Sequence, residues 1–499
     1  MANFLFDRLI GAVDGERSAL IAEERTLTFE NLFHLSGRWA NALKREGVRP
    51  GDRVAVQVEK SAANLILYLA TVRVGAVYLP LNTAYTLAEL AYFIKDAEPT
   101  LIVCDPGARE GVVGLAGEVP VHTLDRAGQG TLAALAEQQP DAFETVARGE
   151  DDLAAICYTS GTTGLSKGAM LTHRALAANA ATLVDLWRFT RDDVLIHALP
   201  LYHVHGLFVA TNVALMSGAA IILQPRFDPE VVIAGMARAT CLMGIPTFYS
   251  RLLSHPGLTR EAAKGMRLFI SGSAPLLAQT HHAWTERTGK PILERYGMTE
   301  TGMNTSNPYE GDRRAGTVGH PLPDVALRIV DENTGAPVAR GEIGVIEVKG
   351  PNVCAGYWRN PEKTAEAFQH DGFFITGDLG TQDGQGYVSI VGRGKDLVIS
   401  GGLNVYPKEI ETEIDALPGV VESAVIGLAH ADLGEAVTAI VVAEAGVELT
   451  QASILEALGG RLARFKQPKR VLFVSELPRN AMAKVQKALL RETWRDLYR

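Results

Sequence analysis

The stretch Tyr158-Thr-Ser-Gly-Thr-Thr-Gly-Leu-Ser-Lys-Gly-Ala-Met170 decides how the rest of the chain is read. It follows an apolar run, Leu153 to Cys157, that reads as a buried strand. Gly161, Gly164 and Gly168 allow tight turns and close backbone approach, Thr159, Ser160, Thr162, Thr163 and Ser166 add hydroxyl donors, and Lys167 adds charge. A plain turn has no use for so many donors, whereas a phosphate group does. The stretch is not a Walker A loop, because Gly168 stands where that motif needs a Ser or Thr to reach magnesium. It reads as a phosphate loop of another kind, at the end of a strand.

Outward from the loop, 499 residues with 47% hydrophobic content are enough for two to four domains with sizeable cores. Net charge is −9 and the basic residues are scattered, which argues against a nucleic-acid stripe or a polybasic membrane patch and favours small-molecule chemistry. Cys104, Cys157, Cys241 and Cys354 lie far apart and form no C-x-x-C pair, as expected of free core thiols in a reducing compartment. Met1 to Arg8 carries no cationic leader and contains Asp7, so no signal peptide is expected and the cytoplasm is the expected location. The longest uncharged stretch, Leu207 to Leu223, is broken by Asn212 and Ser217-Gly218 and reads as a buried helix followed by a strand rather than a membrane span.

The order of elements predicts an α/β fold with a largely parallel sheet. Arg53 to Val58 is extended, Ser61 to Val74 helical and stopped by Gly75, Leu87 to Asp96 helical, and Thr100 to Cys104 extended. After the loop come a helix opened by Thr172 as N-cap and strands at Val194 to Leu199, Ala220 to Leu223 and Arg267 to Ser271. Ligand loops are expected at the carboxyl ends of such strands. From about Val325 a hairpin, Ala326 to Val330 and Gly344 to Lys349 around Asn333-Thr-Gly335, marks a smaller β-rich lobe. Beyond Asp396, short strands (Ala424 to Ile426, Thr438 to Val442, Arg470 to Val474) mix with helices over Lys408 to Ala416 and Ser453 to Arg464, a small α+β domain. The expected division is 1–394 and 395–499, joined by a compact hinge.

Four further stretches carry more polar and glycine residues than their neighbours need. Ser271-Gly272-Ser273-Ala274-Pro275 leaves a flat slot suited to a ring or acyl group, although alone it is only a turn. In Arg295-Tyr296-Gly297-Met298-Thr299-Glu300, Thr299 suits a phosphate oxygen and Glu300 suits magnesium. In Thr376-Gly-Asp378 the carboxylate suits ribose hydroxyls, with a turn as the plainer reading. The fourth runs Gly392-Arg-Gly-Lys-Asp-Leu-Val-Ile-Ser-Gly-Gly402.

In this order and spacing the motifs resemble those of the acyl-adenylate-forming enzymes, the superfamily of acyl-CoA synthetases, luciferases and peptide-synthetase adenylation domains, over the whole chain. The resemblance implies a large N-terminal and a small mobile C-terminal domain and a two-step reaction. A carboxylate attacks the α-phosphate of ATP-magnesium to give an acyl-adenylate and pyrophosphate, and then the thiol of coenzyme A displaces AMP. By position, the resemblance puts the ribose contacts on Asp378 and Arg393, the hinge on Lys395, the pantetheine-tunnel glycine on Gly402 and the adenylation lysine on Lys484. The last lies in Pro478-Arg-Asn-Ala-Met-Ala-Lys484, where Ala483 replaces the usual glycine. If position 483 needs positive φ, alanine there costs about 1 kcal/mol in the docked loop. His203-Val-His205 suggests a metal pair but has no third ligand at a suitable spacing; the resemblance instead sets His205 beside the reacting carboxylate.

Arg295 stands where relatives acting on apolar acids carry glycine. An arginine in an acyl pocket needs an anion, which a second substrate carboxylate supplies, with Arg251 as a candidate companion and a mere surface or salt-bridge residue, Glu294 being diverted elsewhere, as the plainer role. The surrounding residues, Met303-Asn-Thr-Ser-Asn-Pro308 included, resemble bacterial malonyl-CoA synthetases, which makes malonate the expected acid. The sequence leaves open another acid or a carrier-protein acceptor, and a non-catalytic nucleotide or acyl-adenylate sensor.

Overall fold

The computed structural model describes residues 2–11, 13–22, 25–159, 166–401, 403–459, 461–480 and 483–498. Among these residues the strands form sheets of six, nine, four and five. The six-stranded sheet runs Val121–Thr123, Leu101–Cys104, Arg53–Gln57, Val77–Pro80, Leu153–Thr159 and Lys167–Thr172, parallel throughout except for the last pair. The core of the nine-stranded sheet is the parallel set Leu293–Met298, Leu268–Ser271, Cys241–Gly244, Val194–His197, Ala220–Leu223 and Ser18–Ile21.

Local chemistry accounts for the helices between these sheets. Ser61 caps the helix Ala62–Arg73 by accepting from the Asn64 N–H, and Thr172 caps His173–Leu186 by accepting from Ala175; each such cap is worth about 1 kcal/mol. The helix Ala62–Arg73 is apolar on all sides and buried throughout most of its length. Its Tyr68 ring meets Tyr78 of the six-stranded sheet at 5.4 Å and Phe208 at 5.7 Å, and its hydroxyl donates to Asn212 at 3.2 Å. One hydrophobic cluster therefore spans both sheets, and the two behave as one packed body.

The expected hairpin lobe is an antiparallel sheet of Ala326–Val330, Gly344–Lys349, Phe374–Gln382 and Val388–Arg393. The C-terminal part packs two small clusters of its own around Val420–His430, Gly434–Ala443 and Arg470–Phe473. The helix opened by Thr172 is His173–Leu186, as expected, but a strand not foreseen precedes it: Lys167–Thr172 pairs antiparallel with Leu153–Thr159, Thr159 opposite Lys167 and Leu153 opposite Thr172. One expected element is corrected. The helix expected over Ser453 to Arg464 is Gln451–Gly459, cut short where two glycines follow one another. No helix among the described residues is long and apolar enough to cross a membrane.

Candidate functional site

The motif residues converge where the carboxyl ends of Leu268–Ser271 and Leu293–Met298 face the hairpin lobe. The turn between Leu293–Met298 and Gly302–Ser306 carries Thr299 and Glu300. Glu300 is 6% exposed, and its Oε1 accepts from Thr159 Oγ1 at 3.3 Å and from Tyr357 OH at 3.2 Å. Burial raises its pKa, opposed by those two hydroxyls and by Arg393. Tyr357 also offers its ring to Lys167, whose Nζ lies 4.9 Å from the centroid. No described group of three or more acidic, His or Cys side chains encloses a metal here. One carboxylate ringed by hydroxyls, without a cage, suits a magnesium ion that keeps its waters and arrives with nucleotide phosphates. Glu300 would hold it, neutralising phosphate charge. Thr299 is half-buried and lines a small cavity with Val204, Phe208 and Gly302.

A second cluster suits the ribose. Asp378 on Phe374–Gln382 lies opposite Arg393 on Val388–Arg393, and Oδ1 meets Arg393 Nε at 2.9 Å. Tyr296 OH donates to Asp378 Oδ2 at 2.5 Å, and the Asp378 N–H donates to Thr376 Oγ1 at 3.1 Å. The neighbouring Asp378 carboxylate raises the Arg393 pKa. Gly297 follows Tyr296 at an irregularity in the strand pairing. Lys395 occupies the short turn Gly394–Asp396 just after Arg393, and burial lowers its pKa.

The third cluster gathers around Arg295. Arg295 on Leu293–Met298 is 2% exposed, and its Nε and Nη2 have no hydrogen-bond partner among the described residues. Burial pushes its pKa down to about 9, still above neutrality. Glu294 does not neutralise it: successive strand residues face opposite ways, and Glu294 Oε1 instead accepts the Leu276 N–H at 3.0 Å. The guanidinium packs against Gly272, where a Cβ would lie 2.4 Å from its central carbon, so a side chain at 272 would displace the guanidinium. Ser273, at φ 72°, sets its Oγ 3.1 Å from His205 Nδ1, with Ala274 half-buried beside it. His205 is buried, its Nε2 has no partner among the described residues, and desolvation followed by Arg295 holds its pKa well below the usual imidazole range.

Lys484 completes the assembly from the C-terminal part. Its side chain still reaches solvent, as at the mouth of a cleft, but desolvation lowers its pKa, with Arg393 and Lys395 adding to the effect and Asp378 and Glu300 opposing it. His203 lies between Lys484 and Arg295, and burial with these two cations pushes it down to about 4. Its loop is held by Asn480, which accepts from the Ala483 N–H at 2.8 Å and the Lys484 N–H at 3.0 Å. Ala483 has φ 56°, so the position does use the left-handed region. Arg251 is not brought in: it is exposed on Pro246–Leu253, whose Phe248, Tyr249 and Leu252 face is the buried one. Ser160, Gly161, Thr162, Thr163, Gly164 and Gly402 lie outside the described residues. Sequence reading missed Tyr357 and His203 as members of the site; His203 was visible only as half of a discarded metal pair.

Comparison with known proteins agrees with this geometry. The model of the AMP-binding enzyme family matches residues 10–358, and that of the AMP-binding enzyme C-terminal domain matches 409–484. ATP-bound MatB from Rhodopseudomonas palustris superposes with a TM-score of 0.98 at 60% identity over 100% of both chains, and apo MatB from the same organism with 0.87. An indoleacetate–CoA ligase of Aromatoleum aromaticum is 36% identical over 97% of this chain and 96% of its own. A malonate–CoA ligase of Arabidopsis thaliana is 36% identical over 90% of this chain and 79% of its own. The chain thus belongs to the AMP-binding enzyme family, as an AMP-forming acyl-CoA ligase that works through an acyl-adenylate and uses ATP, magnesium and coenzyme A.

Proposed function

We propose that the acid is malonate and the product malonyl-CoA. The carrying observation is the Arg295 guanidinium, buried beside His205 and Ser273 with two nitrogens that have no partner among the described residues. Leaving a buried cation unpaired is costly, and a substrate that brings a second carboxylate relieves that cost while its first carboxylate points to the nucleotide. Relatives of similar identity act on indoleacetate and on malonate, so family membership alone does not choose the acid. The arginine does.

In this reading Asp378, Arg393 and Tyr296 orient the ribose, Thr159 and Lys167 flank the phosphates, and Glu300 would hold magnesium. Lys484 sits over the cleft and balances the charge that develops between the attacking carboxylate and the α-phosphate. Resemblance to ATP-bound rather than apo MatB supports an adenylation-competent orientation, TM-score 0.98 against 0.87. The C-terminal part then turns about Lys395, withdrawing Lys484 and admitting the coenzyme A thiol past Gly402, with the domain boundary at 394/395.

The test is kcat/KM for malonate, acetate and succinate in the wild type and Arg295→Gly, with folding checked by thermal melting. The wild type should prefer malonate to acetate by roughly 10²- to 10³-fold, the equivalent of ~3 to 5 kcal/mol. Succinate should lose by misplacement of its second carboxylate. Arg295→Gly should collapse malonate activity and narrow that ratio; an unchanged ratio would remove Arg295 as the carboxylate clamp.

A further inference from the structure

Lys60 lies between the strand Arg53–Gln57 and the helix Ala62–Arg73, buried, with no carboxylate at ion-pair distance among the described residues. Its ammonium has one acceptor for each proton: the backbone carbonyls of His197 and Leu199, both at 2.7 Å, and the His197 ring Nδ1 at 2.8 Å. On the far side of that ring, Nε2 is 2.9 Å from the Gly206 carbonyl, which also accepts from Thr211 Oγ1 at 3.0 Å. A carbonyl only accepts, so Nε2 carries a hydrogen. The hydrogen-bond count leaves one further proton to be shared between Lys60 Nζ and His197 Nδ1, while burial lowers the pKa of both groups.

A polar couple of this kind is expensive to bury, and well-packed apolar side chains would be at least as stable. The hydrogen bonds fall on the two ends of one segment. Leu199 opens the stretch that follows the strand Val194–His197, and Gly206 closes it one residue beyond His205. The ends touch: a Cβ at Gly206 would lie 2.0 Å from the Pro200 carbonyl oxygen. From there the chain enters a π-helix, His205–Ala210, a form found mostly at functional sites.

We propose that Lys60 and His197 are positioning residues for the acyl site: by pinning Leu199 and Gly206 they hold the His205 ring against Ser273 and beside Arg295. This rests on the placing of His205 at the acyl site, and the experiment separates the two. Acid-dependent exchange of pyrophosphate into ATP is measured for Lys60→Met, His197→Leu, His197→Gln, His205→Ala and the pair Lys60→Met/His205→Ala, with melting temperatures. Lys60→Met and His197→Leu should lower kcat/KM for the acid by about ten- to hundredfold, as small misplacements of a reacting group do. KM for ATP should stay within about twofold, and melting temperature should not fall in step with activity. His197→Gln, whose amide keeps one donor and one acceptor, should recover most of the rate. In the His205→Ala background Lys60→Met should change the rate by less than about twofold. If Lys60→Met costs the same with and without His205, or costs nothing in the parent, the positioning role is refuted while the acyl-site placing stands. Wild-type exchange by His205→Ala would refute both. Should Lys60→Met fail to fold, the His197 variants in the two backgrounds make the same comparison.

Discussion

Replacing Ala483 by glycine tests whether the docked lysine loop is strained. Ala483 adopts φ 56°, held there by the Asn480 carbonyl on its N–H at 2.8 Å and by Arg479 Nη1 on its carbonyl at 2.5 Å. Alanine in the left-handed region costs about 1 to 2 kcal/mol, which glycine avoids. Glycine gives back about 0.5 to 1 kcal/mol in the extra freedom it loses when the loop orders. The half-buried methyl, packed against the core of the large domain, contributes a few tenths of a kcal/mol more in alanine's favour. The balance is about 0.5 kcal/mol toward docking for Ala483→Gly, roughly twofold in the docked population, with about eightfold as the upper bound. The assay is acid-dependent pyrophosphate exchange, with KM for ATP and acid, beside thioester formation from supplied acyl-adenylate. Exchange should rise up to that bound at unchanged KM, and the second half-reaction should stay level or slow, because a better-docked loop leaves more reluctantly. A clear fall in exchange by a protein of normal melting temperature would show that alanine suits the turn and would refute the strain argument.

Lys484→Ala should reduce adenylate formation by about 10²-fold or more and leave thioester formation from supplied adenylate near wild type; equal loss in both half-reactions counts against a lysine that acts in one orientation. Asp378→Asn weakens the grip of Arg393 and the ribose acceptors, so KM for ATP should rise about tenfold or more with KM for the acid little changed, and an unaltered ATP KM places the ribose elsewhere. Burial pushes Glu294 up to about 8 from 4.5, so between those values the folded state keeps a proton that the unfolded state has lost and stability declines as pH rises. Glu294→Gln, which keeps the acceptor for Leu276, should therefore gain melting temperature over the wild type progressively from about pH 5 to pH 8; a gap independent of pH dissociates Glu294 from this titration.

Elements bounded by apolar runs were legible in the sequence: Ala220–Leu223, Ala326–Val330 and Gly344–Lys349 fall where their alternation and turns put them. The strand Lys167–Thr172 was not, because its first half belongs to the polar, glycine-rich motif and only the pairing with Leu153–Thr159 makes it extended. Glu300, Asp378 and Arg393 each lie in a motif visible in the sequence, and the fold pairs Asp378 with Arg393 and brings Arg393 within electrostatic reach of Glu300. Tyr357 lay 57 residues beyond Glu300 with no motif around it, and its role appears only when the fold brings their side chains within 3.2 Å. Lys60 and His197 are further apart still, 137 residues, and each alone reads as an ordinary polar residue of an α/β chain.

The contact between Gly272 and Arg295 bears on how such an enzyme changes its acid over generations. A side chain at 272 has room only once the guanidinium is gone, and removing the guanidinium first leaves an empty volume against a bare backbone. The order of change is thereby set. A lineage moving from a charged to an apolar acid must lose the arginine before it fills position 272, while one moving the other way must clear 272 first. Either route passes through an intermediate with a void, which ties changes at the two positions together.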